Sequence, residues 1–300
     1  MKNGLLFLLF LFSAFIGHSQ NPLNIELNFA LGDSFLIEYG MHSVTDQLIM
    51  GAQQKIETDE KMTITMRVTD VSPEQVYTVR MVYKRYRSKV ESNDMFETFN
   101  TDSADAQSDY RFMLMLIGKP IDIQITDKGK LISFDGSKIM LRNDSIDNLD
   151  EHALLIANNR FGEQIPKSIL SFLNCPPNPV RLNDAWNVPD TVHQYPFRYT
   201  DITSYLIDAS ENTYQLKYSG KISTDGQKFY KTNRIFISYQ MSGNTENLGR
   251  YDKKTGMFDE AEMIQVLSGT AGMKYSENSN AEYTWPITIN NEIRLTSIKL

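Results

Sequence analysis

Ser34, Asp190 and His193 come nearest, by type and spacing, to a catalytic set in this chain. Gly32-Asp33-Ser34-Phe35 follows Asn28-Phe29-Ala30-Leu31, as in a Gly-Asp-Ser type serine esterase, and Asp190-Thr191-Val192-His193 has the Asp-x-x-His spacing of an acid and its base. Asn183-Asp184 could serve as an oxyanion block. Such a nucleophile sits on a turn between a buried strand and a helix. Here Leu36-Ile37-Glu38-Tyr39 continues as a strand, and strand pattern runs on far past His193. The Ser34 phrase also occurs twice: Leu31-Gly32-Asp33-Ser34-Phe35 parallels Leu182-Asn183-Asp184-Ala185-Trp186, with Ala185 in place of the serine. A turn that opens a strand accounts for both copies. The expectation is therefore no enzyme, with the esterase on Ser34, Asp190 and His193 as the alternative.

Other reactive side chains are scattered. His18, His42, His152 and His193 show no ligand spacing, so no metal is expected. No glycine loop suited to phosphate is present and no cofactor is expected. Glu151-His152 reads as an exposed pair at a helix start, and Lys84-Arg85-Tyr86-Arg87-Ser88-Lys89 as a solvated strand edge. Cys175, the one cysteine, precedes Pro176 and Pro177 and reads as an inert thiol in a loop. The formal net charge is −7, which makes nucleic acid a poor partner.

Lys2, the apolar run Leu5 to Ile16 and Gly17-His18-Ser19 have the form of a secretory signal peptide over residues 1–19, cut before Gln20. No cysteine follows the run to carry a lipid. The expected product is an exported chain, periplasmic or extracellular, soluble after cleavage and not membrane-spanning.

What must position the side chains is mostly strand. Met62, Ile64, Met66 and Val68 alternate with polar residues, as do Tyr77, Val79, Met81 and Tyr83, with Asp70 to Gln75 as the turn between. Tyr110, Met113, Leu114 and Ile117 fit a short helix closed by Gly118; Ile121 to Ile125 and Leu131 to Phe134 form a second hairpin. Ser145 caps a helix with the stripe Ile146, Leu149, Ala153, Ile156 and Ala157, and another helix runs to Cys175. Past the Pro177-to-Val188 hinge, strands resume at Tyr195–Asp208, Thr213–Ser223, Arg234–Met241, Met257–Ser268 and Glu282–Asn290. This is an α+β, β-rich chain: strongly curved antiparallel sheet with a few short helices, read as one domain over 20–300. Its N-terminal half is 20–143, its helical segment 144–175 and its C-terminal half 176–300, and the repeated phrase makes the halves candidates for relatives.

Met115-Leu116-Ile117-Gly118-Lys119-Pro120-Ile121 with Lys128-Gly129-Lys130-Leu131 and Asp135-Gly136 resembles a phrase of an uncharacterised secreted family of Bacteroidota, a domain of unknown function. Phe161-Gly162-Glu163, then Cys175-Pro176 through Pro179-Val180 to Asp184-Ala185-Trp186, is similar to its second phrase, and Asp252-Lys253-Lys254-Thr255-Gly256 to its third. Asn183 stands where that family usually has glycine. The layout is similar to the lipoprotein-carrier (LolA-like) fold, which implies a scaffold able to hold something apolar. The expected role is an envelope protein binding a lipid, another apolar ligand or an apolar segment of a partner; a structural or assembly role without ligand is the other alternative. Met62, Ile64, Met66, Tyr77, Val79, Met81, Tyr214, Leu216 and Tyr218 are the candidate ligand-binding residues, with methionine suited to adaptable apolar surfaces.

Overall fold

The computed structural model describes residues 21–93, 95–103, 112–135, 158, 160–188, 192–194, 197–224, 229–232, 235–276, 279 and 282–300. The leader, the helix read from Ser145, the Glu151-His152 pair and Asp190 lie outside them.

The alternating segments become strands: β1 (Ser34–Ile49), β2 (Ala52–Val71), β3 (Tyr77–Ser92), β4 (Met95–Asn100), β5 (Pro120–Ile125), β6 (Leu131–Asp135), β7 (Ala185–Asn187), β8 (Val192–Gln194), β9 (Phe197–Ala209), β10 (Thr213–Thr224), β11 (Phe229–Thr232), β12 (Ile235–Asp252), β13 (Phe258–Lys274) and β14 (Tyr283–Lys299). They form one antiparallel sheet in the order β6-β5-β3-β2-β1-β14-β13-β12-β10-β9-β7, with β4 beside β3, β8 beside β9 and β11 beside β12. At its centre the first and last strands pair, from Phe35 opposite Lys299 to Gln47 opposite Ile287.

Period-two alternation gives this sheet one apolar face. On it Phe35, Ile37, Tyr39, Met62, Ile64, Met66, Val79, Met81 and Tyr83 are buried. They pack against chain laid over the sheet: Ile25, Leu27 and Phe29, and the helical segment from Phe161 to Leu173. That segment is a π-helix (Arg160–Gln164) running into a helix (Ile165–Ser171), with Pro166 in the first turn, where its missing N–H costs nothing. A separate helix spans Phe112–Leu116, and Gly118 follows it at φ +81, as expected for its C-terminal stop.

Tyrosines on the sheet clasp these covering segments. Tyr77 Oη donates to Leu27 O at 2.9 Å, Tyr83 to Phe161 O at 2.7 Å, Tyr218 to Asn174 O at 3.1 Å and Tyr251 to Phe172 O at 2.8 Å. Each bond gives a buried hydroxyl a carbonyl acceptor on a covering segment.

β12 runs eleven residues past Met241, where the sequence reading stopped it. Ser242-Gly243-Asn244 looks like a turn, but β10 and β13 hold it in ladder on both sides. Here the strands come very close: a Cβ on Gly243 would stand 1.8 Å from Val266 O, and one on Gly269 2.0 Å from Gln240 O. Two glycines on neighbouring strands thus allow a backbone approach that a side chain would block.

The repeated phrase is a repeated turn. Gly32 (φ +90) and Asn183 (φ +67) take positive φ. The next residue, Asp33 or Asp184, bonds back through its carboxylate to Ala30 N at 3.1 Å or Arg181 N at 2.7 Å. Gly32 N donates to Val68 O and Asn183 N to Leu206 O, each on the neighbouring strand. The second copy opens only the three-residue strand β7, where Trp186 is half-buried rather than buried.

Candidate functional site

The apolar face carries two clusters. The main one is filled from both sides as described. The second is centred on Tyr199, Ile222, Met241, Leu267, Trp285 and Ile287, and all its members lie on strands. Around it Ile49, Phe197, Tyr239, Met273, Tyr283 and Ile289 are only partly buried.

A row of polar side chains in register divides the two: Ser43 opposite Asn291, Asn291 opposite Gln265, Gln265 opposite Thr245. Asn291 Nδ2 donates to Gln265 Oε1 at 3.0 Å, and Gln265 Nε2 donates to Tyr199 Oη at 2.7 Å. Burial pushes the Tyr199 hydroxyl well above its ordinary range, so it stays protonated. Behind the row lies a cavity of about 40 Å³ lined by Ser171, Asn174, Tyr199, Tyr218, Ser219, Thr245 and Asn247 with apolar neighbours. It admits a water or a group of similar size. The cavity shares Tyr199 and Ile202 with the second cluster, so a small uncharged polar cavity adjoins that apolar cluster.

The nine residues named from sequence as a ligand wall, Met62, Ile64, Met66, Tyr77, Val79, Met81, Tyr214, Leu216 and Tyr218, stand together on this face in its filled part. None is more than 4% exposed, and all belong to the main cluster. Tyr218 alone among them also lines the cavity. The sequence reading passed over Tyr199, Gln265 and Asn291; the signal was polar residues at inward positions of otherwise apolar strands.

The chemistry-bearing residues are held in structural roles where they are described. Ser34 opens β1, and its carbonyl accepts from Leu300 N at 2.8 Å. Burial raises the Asp33 carboxyl, but Lys299 at 2.7 Å and the Ala30 amide outweigh it and hold the group below its ordinary range. His193 lies on β8, and its side chain is outside the description. Cys175 is pushed up to about 12 by burial, which leaves it a thiol at neutral pH. Arg85 and Arg87 of the basic run both pair with Asp102. An ion pair invisible in the sequence joins Glu60, 3% exposed, to Arg160, with Tyr86 Oη donating to the same carboxylate at 3.1 Å. Among the described residues no three His, Cys, Asp or Glu group as metal ligands, and no helix is long and apolar enough to cross a membrane.

A family model described as a family of unknown function, DUF6263, matches residues 74–258. No curated protein matches the chain. Among solved structures, one on lipid–protein interactions in lipovitellin is similar at 10% identity and TM-score 0.52, over 90% of this chain and 25% of that one. This chain thus spans a quarter of that protein's length, and the likeness is one of fold. The outer membrane protein OprG from Pseudomonas aeruginosa aligns at 7% identity and TM-score 0.28, over 90% and 98% of the two chains. A DUF1329 family protein from Desulfovibrio piger aligns at 9% and 0.13, over 87% and 83%. Neither score is high enough to carry an argument.

Proposed function

The chain belongs to the DUF6263 family, whose function is unknown, and we propose that it is an exported, non-enzymatic protein that binds an apolar ligand, a lipid acyl chain, at the second cluster. The observation that carries this reading is the difference in covering. The main cluster is filled by clasped segments of the chain itself, while among the described residues the members of the second all lie on strands and Ile49, Tyr239, Tyr283 and Ile289 around it are partly buried. Each methylene laid against such a surface contributes about 0.8 kcal/mol before the costs of association. A fold shared with lipovitellin, a protein whose structure was described for its lipid–protein interactions, supports the reading. Export is supported by Lys2, the apolar run to Ile16 and the Gly-x-Ser site, and a non-enzymatic role by the absorption of Asp33 and Ser34 into a turn that recurs without serine.

Native mass spectrometry of protein purified without detergent tests it. The expected mass starts at Gln20 and carries a lipid. Ile289→Asp and Tyr239→Asp should each release the lipid from a folded protein. Lipid held equally well by both variants, or no lipid either retained or taken up on loading, overturns the proposal.

A further inference from the structure

We infer that the ligand held at the second cluster carries an uncharged polar head, the hydroxyl or ester end of an acylglycerol, and that anionic amphiphiles are rejected. This rests on the binding reading above and concerns the cavity that shares Tyr199 and Ile202 with that cluster.

Among the described residues that line the cavity, none bears a charge. The polar groups there are amides and hydroxyls: Asn174, Asn247, Ser171, Ser219, Thr245 and Tyr199. Tyr199 accepts the Gln265 amide and, protonated, keeps its own O–H to give. The two asparagines each offer a carbonyl and an NH₂, so the set can both donate to an ester carbonyl and accept from a hydroxyl. A carboxylate or phosphate placed there would be buried without a cation, and an unpaired buried charge is far more costly than a hydrogen-bonded hydroxyl. Arg160, beside Met41 at the main cluster, is already paired with the buried Glu60. The volume, about 40 Å³, suits a hydroxyl or carbonyl group. The chain's net charge of −7 further disfavours approach of an anion.

Trp285, 8% exposed in the second cluster, provides a reporter. The other tryptophan is removed by Trp186→Phe, a change its repeat partner Phe35 shows the turn accepts. Trp285 fluorescence of this variant is titrated with 1-monooleoylglycerol and, at pH 9 where the acid is ionised, with oleate, both below their aggregation limits. The expected result is at least ten-fold tighter binding of monooleoylglycerol. Asn247→Lys, which places a cation in the pocket, should narrow or reverse that ratio. Oleate binding as tightly as monooleoylglycerol overturns the inference and leaves the binding reading standing. Binding of neither removes both. Should Asn247→Lys fail to fold, the ratio measured without it still decides.

Discussion

The two clusters on the inner face are made from the same long strands, yet they differ in what their polar groups reach for. In the main cluster the hydroxyls of Tyr77, Tyr83, Tyr218 and Tyr251 reach off the sheet, to carbonyls of segments 25–29 and 160–174, while Tyr86 bonds within it to Glu60. In the second, Tyr199 receives Gln265 from the sheet itself, and Trp285 Nε1 donates to Gln47 Oε1 at 3.0 Å, again on the sheet. A polar group aimed off the sheet specifies a covering segment, because its hydrogen bond is lost unless that segment docks. A polar group satisfied within the sheet specifies none. The first region is therefore built to be closed by segments 25–29 and 160–174, whereas the described hydrogen bonds of the second specify no covering segment.

The largest expected effect follows from the buried tyrosine hydroxyls of the main cluster. Burial raises Tyr39, Tyr83, Tyr218 and Tyr251 above the ordinary 10.0. Below pH 10 neither the folded nor the unfolded chain ionises them, and their contribution is fully present. Above it the unfolded chain loses these protons first and binds fewer than the native state, so stability falls as pH rises. Each such group contributes a slope of about 1.4 kcal/mol per pH unit, so four give about 5–6. Urea midpoints measured from pH 8 to 11 should be level to about 9.5 and then drop steeply. Tyr251→Phe should reduce the slope, and a flat profile to pH 11 would mean these hydroxyls are not buried.

Next is deletion of side chains in each cluster. Phe172→Ala, in the main cluster against Phe258, should cost about 3–5 kcal/mol, whereas Ile289→Ala on the partly buried rim should cost less than about 1.5. Equal losses in chemical denaturation would erase the distinction between the regions.

Much of this architecture was legible. Strict alternation at Met62–Val68 and Tyr77–Tyr83 sufficed for the strands and their inward side, because period two admits only one apolar face. The Asp33 and Asp184 phrases sufficed for the turns. What could not be read was which stretch of that face is filled. Leu23, Ile25, Leu27 and Phe29 also alternate and would pass for a strand, but they lie across the sheet, with Leu23 bridging only to Val180. The pairing of β1 with β14 and the Glu60–Arg160 bond join residues far apart in sequence, and no local pattern encodes them. Likewise Gln265 reads as one polar residue in an apolar strand; its place in a row appears only once three strands are in register.

A smaller effect separates the two kinds of tyrosine. Tyr83→Phe removes the hydroxyl that donates to the buried Phe161 carbonyl, for about 1–3 kcal/mol. Tyr199→Phe should cost less, about 1 kcal/mol, since Gln265 Nε2 loses that acceptor but keeps Met263 Sδ at 2.9 Å and adjoins a cavity that admits a water. Thermal unfolding of the two variants side by side measures the contrast, and a larger loss at Tyr199 would reverse it.

The smallest effects compare the halves through their shared turn. Gly32 and Asn183 both hold positive φ, and around Gly32 a Cβ would meet nothing within 4 Å, so what an alanine suffers there is the backbone conformation alone. Gly32→Ala should cost about 1 kcal/mol, the left-handed penalty of an ordinary L-residue. If the second turn is its equivalent, Asn183→Ala should cost about the same, because it loses the one side chain other than glycine that tolerates this region well. Asn183→Gly should change stability by no more than about 0.5 kcal/mol, as the bond from residue 183 N to Leu206 O is a backbone bond that any residue but proline retains. The aspartates that follow would hold both turns in place through Ala30 and Arg181 regardless. Urea denaturation resolves these differences when the three variants are measured together. A cost at Gly32 with none for Asn183→Ala would show that the second turn does not need its positive φ, and that the two halves share a phrase without sharing its mechanics.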